Sequence, residues 1–166
     1  MAQSFTPTQK MAAAARRGLR LREKFGRGGT DIGVRRAQQL GRETDKDPAL
    51  IELILRESRA IVRHRPGLVI SEHNLGMVMA NAGIDQSNVT DDGRGPRVLL
   101  LPRDPDGSSA ALRSALGQRF GVELGVIIAD SAGRAWRHGI TGMALGAAGL
   151  PALMDLRGQP DLEGRP

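Results

Sequence analysis

The sequence predicts an α+β domain, a mixed sheet with flanking helices, behind a basic helical N-terminal extension. Three observations carry that expectation. Apolar residues after Asp47-Pro48 recur at helical spacing, the pattern changes to short runs rich in Val and Ile from Leu68 onward, and positive charge is concentrated in the first fifth of the chain. No internal repeat is present, and 166 residues suit one ordinary domain or a small domain with an appended segment.

The elements follow in order. Met11 to Phe25 is expected to be a helix, because Ala12 to Ala15 have high helix propensity and Gly26 supplies a stop. Leu19, Leu21 and Phe25 give it only a thin apolar stripe among arginines. Gly26-Arg27-Gly28-Gly29 lacks the Lys-Ser/Thr ending of a P-loop and reads as a linker. Thr30 is placed to cap a second short helix through Gln39. Together these two helices carry too little apolar surface for a core of their own.

Asp47 is a good N-cap and Pro48 suits the first helical position. Leu50, Ile51, Ile54, Leu55, Ser58, Ile61 and Val62 then keep helical spacing, so that helix is expected to reach Arg65, where Pro66-Gly67 ends it. Leu68 to Ile70 is a short strand, His73 to Gly76 a turn and Met77 to Met79 a return strand. Val98 to Leu101 is a continuous apolar run of the kind found in buried strands. Ser108 to Phe120 is an amphipathic helix with Leu112, Ala115, Leu116 and Phe120 on one face, stopped by Gly121. Val122 to Ala129 is the strongest strand and the most buried in character, and Thr141 to Ala148 is an apolar, Gly-rich strand. Leu150 to Pro166 has no clear periodicity.

Composition narrows the function classes. The chain is 40% hydrophobic and 25% charged, within the globular range. No run approaches the ~18 apolar residues of a membrane span, and Ala12 to Ala15 run straight into Arg16-Arg17 instead of forming a signal-peptide core. The expected location is the cytoplasm, without a membrane partner. The absence of cysteine excludes disulfides and thiolate metal sites. The net charge is +6, yet residues 1–36 hold nine basic and two acidic side chains, so the remainder is close to neutral. Any nucleic-acid contact through bulk charge is therefore expected from residues 1–36 alone, and to phosphates rather than bases, because that segment is poor in aromatics.

Two stretches could hold chemistry. Asn81-Ala82-Gly83-Ile84-Asp85-Gln86-Ser87-Asn88 gathers amide, carboxylate and hydroxyl oxygens after a predicted strand. These are hard ligands suited to magnesium or manganese, and equally the usual formers of Asx-type turns. Ala129-Asp130-Ser131-Ala132-Gly133-Arg134 lies at the expected exit of the strongest strand. There Asp130 is either a capping residue or a ligand group, Gly133 allows close approach of a phosphate, and Arg134 and Arg137 are placed to contact it. Two carboxylates from separate strand ends, Asp85 and Asp130, can together hold divalent ions that bridge nucleotide phosphates. The histidines His64, His73 and His138 show no metal-ligand spacing.

Five blocks in order carry a resemblance: Ile51 to Ser58 (IELILRES), Ala80 to Asn88 (ANAGIDQSN), Leu99 to Asp106 (LLLPRDPD), Asp130 to Arg137 (DSAGRAWR) and Gly149 to Gly158 (GLPALMDLRG). The series resembles the coenzyme F420-0:L-glutamate ligases, or gamma-glutamyl ligases, over roughly three quarters of the chain. The resemblance implies that residues 44–166 form part of that fold and that residues 1–43 are a separate basic helical segment. It implies transfer of a phosphoryl group from GTP, as co-substrate, to a carboxylate of the deazaflavin precursor F420-0, giving an acyl phosphate. The amine of L-glutamate then attacks, forming an amide and releasing phosphate. Asp85, Asp130 and Ser131 are the implied ligands of a divalent metal, magnesium or manganese, and Asn88 the implied GTP contact. Ser131 keeps the hydroxyl of the family's threonine, while Ala132 stands where an aromatic is common. No catalytic acid, base or nucleophile is assigned. The family's dimers imply a homodimer. Its Lys-Ser-Lys nucleotide loop has no counterpart around Thr8-Gln9-Lys10, and its C-terminal nucleotide and metal loop has none before Pro166. The expectation is thus a ligase truncated relative to its family. The alternative is an inactive ligase-derived fragment whose basic N-terminal arm binds nucleic acid or another acidic partner.

Overall fold

The computed structural model describes residues 17–20, 31–87, 89, 96–133 and 136–165. Within them the order is β1 (Arg17–Arg20), α1 (Asp31–Thr44), α2 (Pro48–Arg56), β2 (Ser58–Arg65), β3 (Leu68–His73), β4 (Val78–Ala80), β5 (Arg97–Leu100), α3 (Pro105–Phe120), β6 (Val126–Gly133) and β7 (Ile140–Ala148). The class is α+β. Every strand pair among the described residues is antiparallel, in three small sheets ordered β1-β5, β2-β3-β4 and β6-β7.

The α2 helix begins where its cap dictates. Asp47 Oδ1 accepts a hydrogen bond from the Ala49 N–H at 2.8 Å, and Pro48 occupies the first turn, where a missing N–H costs nothing. Ala49, Leu50, Ile51, Leu53 and Ile54 are buried, so the helix is apolar on nearly all sides. They form one core with Ala37 and Leu40 of α1, Val69 of β3, Ala82, and Val98 and Leu100 of β5. Glu52 is also buried there and forms an ion pair with Arg56 one turn on.

Three expectations are corrected. The helix expected to reach Arg65 stops at Arg56, and Ser58–Arg65 is strand β2. Asn74 holds the helix end, its Nδ2 donating to the Arg56 carbonyl and its N–H to the Glu57 carbonyl, both at 2.9 Å. Ile61 and Val62 fit either period, and pairing with β3 decides for the strand. The helix expected across Met11 to Phe25 is contradicted at its centre, because Arg17–Arg20 is a strand paired with β5, Arg17 opposite Leu100 and Arg20 opposite Arg97. The rest of that expectation lies outside the described residues. The third concerns β6, which runs Val126–Gly133 and is half exposed rather than buried. Among the described residues it pairs only with β7 and carries α3 on one face, and Ile127 on the other is 54% exposed.

α3 is capped by Asp104, whose Oδ1 accepts from the Gly107 N–H at 2.8 Å, and it ends at Gly121 with φ 66°. Leu112 and Leu116 of its expected apolar face are half-buried, whereas Ala115 and Phe120 are exposed. Asp106 Oδ1 accepts from the Ala147 N–H at 2.9 Å and ties the helix start to β7. No described helix is long and apolar enough to cross a membrane.

Candidate functional site

The first acid is delivered by an unusual turn. β4 leads into Asn81, Ala82 and Gly83, all left-handed with φ 50°, 51° and 63°. Successive left-handed residues are disfavoured for L-amino acids, so surrounding contacts must hold them. Ala82 is buried at 1% exposure, the Ile84 N–H donates to the Asn81 carbonyl at 3.0 Å, and Asn81 Oδ1 accepts from the Val69 N–H at 3.3 Å. A Cβ on Gly83 would stand 2.8 Å from Leu101 Cδ1, so any other residue would force that side chain to shift, in addition to the strain of its φ of 63°.

Asp85 follows and is joined to β5 on both backbone groups. Its N–H donates to the Leu99 carbonyl at 2.9 Å, and the Leu99 N–H donates to its carbonyl at 2.8 Å. Leu99 also lies opposite Gly18 of β1 in the β1–β5 register, so the basic segment shares a sheet with the strand that anchors Asp85. The half-buried Asp85 carboxylate accepts at Oδ1 from the Ser87 N–H at 2.8 Å and the Ser87 hydroxyl at 2.7 Å. The local geometry is thus an Asx turn with a second donor, and a turn of this kind also orients the carboxylate.

The second acid sits inside a strand rather than at its exit. Asp130 lies within β6, opposite Met143 of β7, because pairing continues to Gly133 opposite Ile140. Asp130 is half-buried, and its Oδ1 accepts from the Ser131 N–H at 2.9 Å. Strand alternation places the Ser131 side chain on the opposite, exposed face. Asp130 and Ser131 therefore do not present both side chains to one point. β4, which leads into the Asp85 turn, packs against β6, the strand that carries Asp130.

Of the remaining candidates, Arg137 is exposed in the turn after β6, beside the 99%-exposed Trp136. Asn88 and Arg134 lie outside the described residues, as does most of the segment 1–36 expected to meet an acidic partner. His64 is exposed, 3.6 Å from Glu43. His73 is buried at 2% exposure, with Nδ1 accepting from the Leu75 N–H at 2.9 Å, so it organises the β3–β4 turn. Sequence reasoning noticed Ser87 only as one oxygen among several. Its spacing two residues after an Asp is the signal that marks it as a partner of Asp85.

Among the described residues no three or more of His, Asp and Glu gather into a metal cage. Magnesium needs no such cage, because one or two carboxylates with phosphate oxygens and water complete its shell. Asp85 and Asp130, each with one oxygen oriented by a donor, are carboxylates of the kind that could supply such a shell, and among the described residues they do not form a closed structural site.

Comparison with known proteins agrees in extent with these blocks. Residues 30–166 match the family described as F420-0:Gamma-glutamyl ligase. The chain is 48% identical over 129 residues to the coenzyme F420:L-glutamate ligase of Methanopyrus kandleri, covering 78% of this chain and 50% of that protein. It is 46% identical over 129 residues to the protein of that name from Methanothermobacter thermautotrophicus, with the same coverage of 78% and 50%. With the Methanocaldococcus jannaschii protein of that name the identity is 38% over 134 residues, covering 81% and 52%. The chain spans about half the length of the curated relatives it matches.

Proposed function

The chain belongs to the F420-0:gamma-glutamyl ligase family, and from that premise we propose that it forms the metal- and nucleotide-binding part of an enzyme that ligates L-glutamate to the deazaflavin precursor F420-0. The observation that carries the reading is the pair of oriented carboxylates, Asp85 in the turn after β4 and Asp130 on β6, the strand against which β4 packs.

In this reading GTP is the co-substrate. Its terminal phosphoryl group passes to a carboxylate of F420-0 to give an acyl phosphate and GDP. The L-glutamate amine attacks the acyl carbon, phosphate leaves with the bonding pair, and the amine proton goes to solvent or phosphate. A divalent ion, magnesium or manganese, supplies neutralisation of charge on the phosphate oxygens. Asp85 and Asp130 would hold it, each with one oxygen already oriented by a donor of the following residues. Ser131 contributes through its backbone N–H, which aims Asp130, because its hydroxyl faces the other side of β6. Asn88 would contact the nucleotide, and Arg134 and Arg137 its phosphates. The apolar outer face of β6 and β7 packs against a second copy, giving a homodimer.

Turnover tests the reading. With F420-0, GTP, L-glutamate and manganese, GDP release should require both other substrates and yield a product longer by glutamate. GDP release that ignores F420-0 and glutamate, or no product under these conditions, contradicts ligation. Asp85→Asn and Asp130→Asn should each lower kcat/KM by about 100-fold or more, as expected when a ligand of a charge-neutralising ion is lost.

A further inference from the structure

We propose that Ser87 is a positioning residue that fixes the Asp85 carboxylate in the orientation a small divalent ion requires. The inference rests on the metal-binding reading of Asp85 given above.

The holder is built from both sides. Upstream, the left-handed turn is locked by the buried Ala82 and by Gly83 against Leu101. At Asp85 itself the backbone is bonded to Leu99 in both directions, at 2.9 and 2.8 Å. The main chain therefore cannot shift the carboxylate, and the side-chain torsions are the remaining freedom. Ser87 removes it, because its N–H at 2.8 Å and its hydroxyl at 2.7 Å converge on the same oxygen, Oδ1. Rotation of the carboxylate would break both bonds together.

This arrangement has a chemical consequence. A carboxylate with one oxygen held by two donors is poorly suited to chelate an ion through both oxygens. Magnesium and manganese take single oxygens in near-octahedral geometry, whereas calcium accepts bidentate carboxylates and irregular shells. Fixing Oδ1 thus favours the smaller ions. Loss of the hydroxyl removes one of the two bonds by which Ser87 holds Oδ1, loosens the rotation and relaxes the discrimination. Ser87 is exposed and its removal takes nothing from the core, so the effect is separable from folding.

The test is manganese binding to the full chain, followed by paramagnetic resonance of the free ion, with calcium as competitor. Wild type, Ser87→Ala, Ser87→Thr and Asp85→Asn are compared, and each is melted without metal. Ser87→Ala should weaken manganese about tenfold, the lower end of what loss of a partner behind a ligand costs. It should also narrow the preference for manganese over calcium and keep the wild-type melting temperature. Ser87→Thr should restore both affinity and preference. Wild-type affinity and preference in Ser87→Ala, with Asp85→Asn defective, overturns the positioning role and leaves the metal site standing. Equal manganese binding by wild type and Asp85→Asn overturns the reading of Asp85 and this inference with it. If Ser87→Ala loses affinity and melting temperature together, Ser87→Thr decides. Recovery of stability without recovery of the ion preference overturns the role, and recovery of both supports it.

Discussion

Ala82 shows how much of this site depends on single backbone angles. At φ 51° and ψ 35° it pays about 1–2 kcal/mol relative to the right-handed region, yet it is an alanine. Its methyl group is buried, which returns about 0.8 kcal/mol, and glycine would cost about 0.5–1 kcal/mol more chain entropy. These opposing effects are of similar size, so Ala82→Gly should change unfolding free energy by less than about 0.5 kcal/mol. Gly83 differs, because a Cβ there meets Leu101 at 2.8 Å and Met79 at 3.0 Å. Gly83→Ala should cost about 2 kcal/mol in urea unfolding, and a loss below about 0.5 would show that the turn relaxes freely. The residue types were partly legible in advance. Asn81 and Gly83 are the kinds that tolerate left-handed angles, and Asp85 and Ser87 are turn formers with useful oxygens. What could not be seen was Ala82 between them, because its angles are imposed by burial rather than preferred by its side chain. Asp130 was expected just past a strand ending at Ala129, but the strand runs on to Gly133, so it is a mid-strand group and not a loop group.

The element boundaries divide along the same line between local and tertiary causes. The start of α2 and the end of α3 are written in local chemistry, Asp47-Pro48 and Gly121, and were legible, whereas α3 starts at Pro105 under its Asp104 cap, three residues before the expected Ser108. The end of α2 was not. Its terminus depends on Asn74, eighteen positions along, whose amide caps the Arg56 carbonyl. Asn74→Ala should destabilise by about 1 kcal/mol, the usual net value of a lost hydrogen bond, with its effect seen in the amide exchange of the last turn of α2. Strand β1 was illegible for a similar reason. Four residues of an Ala- and Arg-rich stretch become a strand only because β5 offers its edge. The end of α1 is a further local case. Asp45 is left-handed with φ 54°, and the Lys46 N–H reaches back to the Gly41 carbonyl at 3.0 Å, a closure that normally uses glycine. Asp45→Gly should therefore raise the melting temperature by ~2–4 °C, corresponding to roughly 0.5–1 kcal/mol. An unchanged or lower value would show that the aspartate side chain offsets its own strain.

At the scale of the molecule, the buried core and the exposed apolar surface occupy different elements. The core joins α1, α2, β3 and β5 around the Asp85 turn, whereas β6 and β7 leave Ile127 54% and Ile140 70% exposed. The sequence predicted a buried strand here because Val126 to Ala129 is a continuous apolar run. Among the described residues the strand is covered by α3 on one face only, and the second face is the one assigned above to another copy of the chain. Ile140→Lys should leave stability nearly unchanged and shift sedimentation toward monomer, while an unaltered dimer would place the interface elsewhere. The central claim is that Asp85 and Asp130 act together on one ion and its nucleotide. Calorimetric titration of GTP, with and without manganese, tests it most directly on wild type, Asp85→Asn, Asp130→Asn and the double variant. Binding should require manganese and weaken at least about tenfold in each single variant, and the double variant should be no worse than the weaker single one, the non-additivity of groups sharing a ligand. GTP binding that is indifferent to manganese, or retained at wild-type strength by either single variant, would contradict it.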